Sequence, residues 1–339
     1  MATNKPNPKK ALSKKNFMQE MHAWRDELKK QAQGWLAQLG QFRNIEQNNY
    51  ELGHRHLALG NITDAIFRFK FVTWMNPNRA DAWYYLGCSY LANKNKKLAK
   101  PALEKAVALK PDYEEAVYMA AMLGGAHKPQ KMPLTLSREY FDSQAATFAH
   151  DETETKGYEG HTILCNAVRS QLTPGRIDYV MLELGVGTGL SGPLLRDAAS
   201  HITGVDISQP MLAEAMNLQD AQGKKIYDAL IHRDAESFLA EAPADGYDIV
   251  MAANLFSFIG GLQGLFQYVS PVMKPGGLLA FTADKMDGEG YDFDAATGRF
   301  QFSLPYLEKL AAASGLKPIK CTQANIYPDY PAWLCLFKK

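Results

Sequence analysis

The chain has 339 residues, of which 46% are hydrophobic and 22% charged, with a formal net charge of +1. That length suits two globular domains, and the near-neutral charge excludes a global field that would recruit nucleic acid or a membrane surface. Cys88, Cys165, Cys321 and Cys335 are dispersed without a C-x-x-C pair, which excludes a disulfide scaffold or a zinc ribbon and points to a reducing, cytoplasmic setting.

Residues 1–44 hold seven Lys and two Arg against Glu20, Asp26 and Glu27, a local excess of +6. The positive start lacks the apolar run of a signal peptide. From Phe17 to Phe42 apolar residues recur at alternating steps of three and four, which predicts an amphipathic helix behind a basic arm.

A repeat follows. Pro77 and Pro111 are 34 residues apart, and the same offset aligns Leu52 with Leu86, Gly53 with Gly87 and Ala65 with Ala99. Trp83, Leu86, Gly87, Tyr90, Ala99 and Pro111, with Leu103 at the usual Phe position, resemble the tetratricopeptide (TPR) pattern. The first copy carries Asn49 and His56 at the two aromatic positions but keeps Phe69. Residues 45–125 therefore read as two repeats with a capping helix from Tyr113 to Leu123. Such a surface implies a protein contact or homo-oligomerisation. Residues 126–137, polar with Pro129 and Pro133, read as a linker.

From 138 to 339 strand-like and helical runs alternate, with strands expected at Tyr179–Leu184, Ile202–Asp206, Asp248–Ala253, Leu278–Thr282, Pro318–Thr322 and Trp333–Phe337. This alternation predicts a sheet covered by helices on both faces. The apolar stretch from Asp248 to Phe266 is interrupted by Asn254, Ser257, Gly260, Gly261 and Gln263, so it predicts no membrane span.

The first strand runs into Gly185, Gly187 and Gly189. Gly187-Thr-Gly-Leu-Ser-Gly192 also fits the dinucleotide fingerprint G-x-G-x-x-G, and Asp206 at the end of the next strand suits the ribose of either kind of ligand. Glu183-Leu-Gly-Val-Gly-Thr-Gly, Tyr247-Asp-Ile-Val-Met-Ala-Ala-Asn and Met273-Lys-Pro-Gly-Gly, in this order, resemble the class I S-adenosylmethionine (SAM)-dependent methyltransferases, near the type 11/12 groups. With the repeats ahead, the chain is similar to bacterial predicted methyltransferases that contain TPR repeats. The resemblance implies an α/β Rossmann-like domain with a seven-stranded sheet, its last strand antiparallel, behind an all-α TPR domain.

Carried over position by position, it places Glu183, Gly185, Gly187 and Gly189 beneath SAM. Asp206 and Ile207 would hold ribose and adenine, with Met211 over the ring. Asp234 and Ala235 would face the adenine edge, and Asn254 and Leu255 the methionine part. Tyr140-Phe-Asp-Ser-Gln-Ala-Ala-Thr-Phe is similar to a segment that caps the site, so Phe141, Phe148 and Tyr158 are candidates to shield the sulfonium. Candidates for a base are His150, His161 and Tyr140. Asp284 and Lys285 fall at the ligand edge of the sheet.

Asn254-Leu-Phe-Ser departs from the N/D-P-P-Y segment of amino-group methyltransferases, and no Pro-Cys nucleophile follows that strand. The expected activity is O- or N-methylation of a small molecule. A protein or peptide acceptor recruited by the repeats and a non-catalytic SAM-binding scaffold are the alternatives. No metal and no nucleic-acid or membrane partner are expected.

Overall fold

The computed structural model describes Lys29 and residues 45–339; the expected basic arm and the helix over 17–42 otherwise lie outside the described residues. The chain divides into two compact units that meet at Lys110 and Pro111.

Among the described residues of the first unit four helices follow one another: α1 (Ile45–Ala58), α2 (Ile62–Met75), α3 (Ala80–Ala92) and α4 (Lys96–Leu109). They pack because small residues stand opposite large ones. A Cβ added at Gly53 would lie 2.8 Å from the Phe69 ring, and one at Gly87 would lie 2.6 Å from Leu103. The two contacts are 34 residues apart, so one packing device is used twice. Arg79 ties the first pair of helices to the second: it donates to Glu46 and Asp81 and lies 3.8 Å from the Tyr50 ring centroid.

The second unit is built on a seven-stranded sheet in the order β3-β2-β1-β4-β5-β9-β8. Its strands are β1 (Tyr179–Leu184), β2 (Ala199–Asp206), β3 (Ala229–His232), β4 (Tyr247–Ala252), β5 (Met273–Asp284), β8 (Lys317–Tyr327) and β9 (Tyr330–Lys338). The first five run parallel, and β9 is antiparallel to both β5 and β8. The central strands are largely apolar because both faces are covered. On one face Leu182, Val250, Phe281 and Phe337 pack against Leu239, Phe266 and Leu307. On the other, Met181, Ile249, Ala280 and Leu336 pack against Leu164, Val168 and Leu212.

Three features differ from expectation or were not anticipated. The helix Glu114–Ala121 belongs to the second unit, where the Tyr118 hydroxyl donates to Gly298 O at 3.0 Å. The 126–137 segment is pinned rather than loose. The amides of Gly260 and Gly261 both donate to Gln130 O at 2.8 Å, and Met132 N donates to Phe258 O at 2.8 Å. An inserted hairpin, β6 (Tyr291–Asp294) with β7 (Arg299–Phe302), precedes the helix Leu304–Ala313.

Candidate active site

The cavity lies at the carboxyl ends of β1, β2 and β4, where the strand order reverses, the position at which open α/β sheets take ligands. It is formed entirely by the second unit.

Its floor is the turn after β1. Gly187 has φ +54° and Gly189 has φ +86°, both in the left-handed region that a Cβ disfavours. Their surroundings differ. A Cβ at Gly187 would meet only the Phe148 ring, at 3.8 Å, in the cavity itself. A Cβ at Gly189 would lie 2.8 Å from Leu218 and Tyr227, in the core. Gly189 is therefore a packing residue and, unlike Gly185 and Gly187, does not line the cavity.

Two buried carboxylates frame that turn. Asp206, 9% exposed, accepts from Gly187 N at 2.8 Å through Oδ2 and from Ser208 N at 2.9 Å through Oδ1. Burial raises its pKa against the opposing effect of those amides. Glu183 accepts from the Tyr227 hydroxyl at 2.7 Å, and burial pushes its pKa up to about 7. Neither carboxylate has an ion-pair partner among the described residues.

Ile207, Met211, Asp234 and Ala235 line the wall beyond β2 and β3. Asp234 also caps the helix Ala235–Glu241, accepting from Ser237 N at 3.1 Å through Oδ1. Asn254 and Leu255 form the wall after β4, and Leu255 fills the space above Gly185. Phe141, Phe148 and Tyr158 close the cavity from the segment before β1. Phe141 stands edge-on to Phe258, with ring centroids 5.0 Å apart.

Of the candidate bases, His161 lines the cavity and burial lowers its pKa, which keeps it neutral near pH 7. His150 and Tyr140 are exposed and do not line it. Asp284 is fully buried and paired with Arg299, away from the cavity wall, and Lys285 pairs with Asp287.

Sequence reasoning missed Thr188, Ser191, Glu152 and Phe258, all of which line the cavity. Thr188 and Ser191 lie within the glycine-rich segment and were legible there; Glu152 carried no local signal. Three residues of the lining carry a buried polar atom without a hydrogen-bond partner: Tyr158 Oη, Thr188 Oγ1 and His161 Nδ1. Among the described residues no group of three His, Cys, Asp or Glu could hold a metal ion.

The sheet order, the antiparallel β9 and a glycine turn between two acid-tipped strands define the class I, Rossmann-like methyltransferase fold. A methyltransferase-domain family model matches residues 182–279, and a tetratricopeptide-repeat model matches residues 80–113. The chain thus carries a methyltransferase domain and a TPR repeat.

The chain is 33% identical over 106 residues to malonyl-[acyl-carrier protein] O-methyltransferase 2 of Ilyobacter polytropus, covering 31% of this chain and 39% of that protein. It is 29% identical over 151 residues to phosphatidylethanolamine N-methyltransferase of Cereibacter sphaeroides, covering 42% and 72%. It thus spans well under half of the first of these relatives. Among solved structures, a SAM-dependent methyltransferase of Leishmania major shares the fold at 18% identity and a TM-score of 0.50, over 60% of this chain and 82% of that one. The [4+2]-cyclase SpnF does so at 16% identity and a TM-score of 0.52, over 62% and 98%.

Proposed function

We propose that the protein is a SAM-dependent methyltransferase acting on an oxygen or nitrogen atom of a small molecule. The observation that carries this reading is the pair of buried carboxylates, Glu183 and Asp206, lacking a cation on either side of the glycine turn. A ligand with a ribose, an ammonium and a sulfonium satisfies both. A dinucleotide does not: its pyrophosphate would meet Glu183, and the helix after the turn, Gly192–Leu195, has four residues and offers little dipole.

In this reading Glu183, Gly185 and Gly187 hold the methionine part beside Asn254 and Leu255. Asp206 takes the ribose hydroxyls, and Ile207, Met211, Asp234 and Ala235 enclose the adenine. Tyr158, Thr188 and His161 supply the polar atoms that the cavity leaves unpartnered. When bound, SAM supplies an electrophilic methyl group. The chain's task is to align the acceptor and exclude water, and alignment is worth up to several kcal/mol of barrier. Phe141, Phe148 and Phe258 provide the apolar wall for it.

The names of the relatives span O- and N-transfer, which supports a small acceptor without fixing its atom. A protein or peptide acceptor presented by the repeats draws on Phe67 and Trp74, which are 62% and 52% exposed on α2; the same face would serve homo-oligomerisation. The sparse, dispersed cysteines support a cytoplasmic location. Among the described residues no helix is long and apolar enough to cross a membrane.

Calorimetric titration with SAM and S-adenosylhomocysteine (SAH) tests the reading. Micromolar binding is expected, and affinity weaker than roughly 100 μM, about −5.5 kcal/mol, would sink it. Because the same fold is used by a cyclase, release of SAH must then be followed over a panel of small acceptors. A chain beginning at Pro111, the boundary of the second unit, keeps that turnover if the acceptor is small and loses it if the repeats deliver a protein.

A further inference from the structure

One ionisable group in the cavity has no part in holding the cofactor. Glu152 lies in a π-turn, Asp151–Thr155, is 6% exposed, and lines the cavity. Such turns widen the helical spiral by one residue and recur at functional sites. Both oxygens of Glu152 are held: Oε1 accepts from Lys156 Nζ at 2.5 Å and Oε2 from the Tyr327 hydroxyl at 2.6 Å. Asn254 Nδ2 lies 3.4 Å from that hydroxyl, so Glu152 is linked to the turn after β4. Arg299, from the inserted hairpin, fixes the other end of Asn254 by donating to its Oδ1, while its own charge is matched by Asp284 at 2.6 Å.

The charges of this cluster cancel in pairs, Glu152 with Lys156 and Arg299 with Asp284. It therefore offers no surplus cation to a carboxylate acceptor and no surplus anion to an ammonium. What remains is a carboxylate with spare lone pairs, in a cavity that Phe141, Phe148 and Phe258 also line.

Resting on the methyltransferase reading, we propose that the cavity between Glu152 and Asn254 is the acceptor subsite, that it takes a neutral, largely apolar molecule bearing a hydroxyl, and that Glu152 receives the hydroxyl proton. The acceptor oxygen's lone pair forms the new O–C bond as the methyl's C–S bond breaks and its electron pair passes to sulfur. The O–H electrons stay on oxygen, and the proton moves to a Glu152 oxygen and from there to water. Tyr327 is a positioning residue that keeps the carboxylate facing the acceptor.

Three naphthalenes of one skeleton probe this: 2-naphthol, 2-naphthylmethylamine and 2-naphthoate. SAH is titrated first into the full chain and its Glu152→Gln variant, and equal affinity is expected, which also shows the variant folded. Each naphthalene is then titrated into the SAH-loaded proteins, and SAM turnover is measured. The expected result is 2-naphthol binding at least about tenfold more tightly than the other two. Its methylation should fall about 100-fold or more in Glu152→Gln, the usual weight of a positioned base. Tyr327→Phe should lower kcat with KM for SAM unchanged. Failure of SAH to bind would end the methyltransferase reading and this one with it. SAH binding without naphthol binding would overturn the acceptor subsite alone. So would an unchanged rate in Glu152→Gln, a preference for the amine, or a preference for 2-naphthoate, which would move recognition to Lys131 on the cavity wall.

Discussion

The amide of Gly187 donates to Asp206 Oδ2 at 2.8 Å, so the carboxylate that ends β2 is locked against the turn that follows β1. Two successive strand ends thereby share one hydrogen bond at the floor of the cavity. Asp206 would face the ribose of the cofactor and Gly187 its methionine part, and changes at either should be read out as affinity.

Asp206→Ala should weaken SAM by about 1–3 kcal/mol, the usual cost of losing charged hydrogen bonds. The loss has two sources, the ribose contacts and the freed Gly187 amide. Calorimetric titration checks it, and an unchanged affinity would mean that another group holds the ribose.

Gly187→Val should abolish SAM binding. A branched side chain at φ +54° is strained by roughly 1–2 kcal/mol, and its Cβ would enter the space the ligand needs. Helical content by circular dichroism should stay close to wild type. Near wild-type affinity in that variant would displace the site from this turn.

The affinity for SAM should depend on pH through Glu183. Its pKa stands at about 7 in the ligand-free protein because it is buried without a cation. A bound ammonium favours the ionised form, so binding releases a proton below that value. Affinity should then tighten up to about tenfold per unit as pH rises towards 7, and level off above it. The stability of the ligand-free protein runs the other way. The folded form holds this proton more tightly than the unfolded chain, so the contribution is present below the ordinary glutamate range and is lost as pH rises through about 7. Titrations from pH 5.5 to 8.5 decide the matter, and a flat profile would show that Glu183 does not couple to the ligand.

Arg299→Met should destabilise the second unit by about 3–5 kcal/mol, because it removes the cation paired with the fully buried Asp284 and leaves that carboxyl only the hydroxyls of Ser257 and Tyr330. Replacing both, Arg299→Met with Asp284→Leu, should recover much of that loss. Urea unfolding of the two variants separates a true ion-pair contribution from simple loss of packing.

Gly87→Ala decides between two opposed effects in the first unit. Alanine favours a helix by about 1 kcal/mol over glycine, but its Cβ would sit 2.6 Å from Leu103, and overpacking costs about 1–3 kcal/mol. A net loss of stability is expected, partly restored by Leu103→Ala. A stabilised Gly87→Ala protein would show that the helices can separate without cost.

Some of this was legible before any coordinates. Gly53 with Phe69 and Gly87 with Leu103 repeat at a fixed offset, and the helices they join are neighbours in the chain, so spacing alone signals the contact. The hairpin Tyr291–Phe302 was not legible, because its strands have four residues each and no alternation long enough to register. His150 and Tyr140 looked like candidate bases only by residue type, and exposure removes them from the cavity wall.

By itself the sequence determined the parts whose physics is local: the left-handed turn that needs glycine, the acids at the tips of β1 and β2, the largely apolar central strands and the paired helices of the repeats. Only the tertiary structure decided which of the three glycines line the cavity and which the core. It alone joined Glu152 to Tyr327 across 175 residues, and Asn254 to Arg299 across 45. Those pairings arise from the order of strands in the sheet and from a hairpin laid beside it. Burial then sets the charge of each group, and burial is a property of the folded chain that no single residue's identity carries.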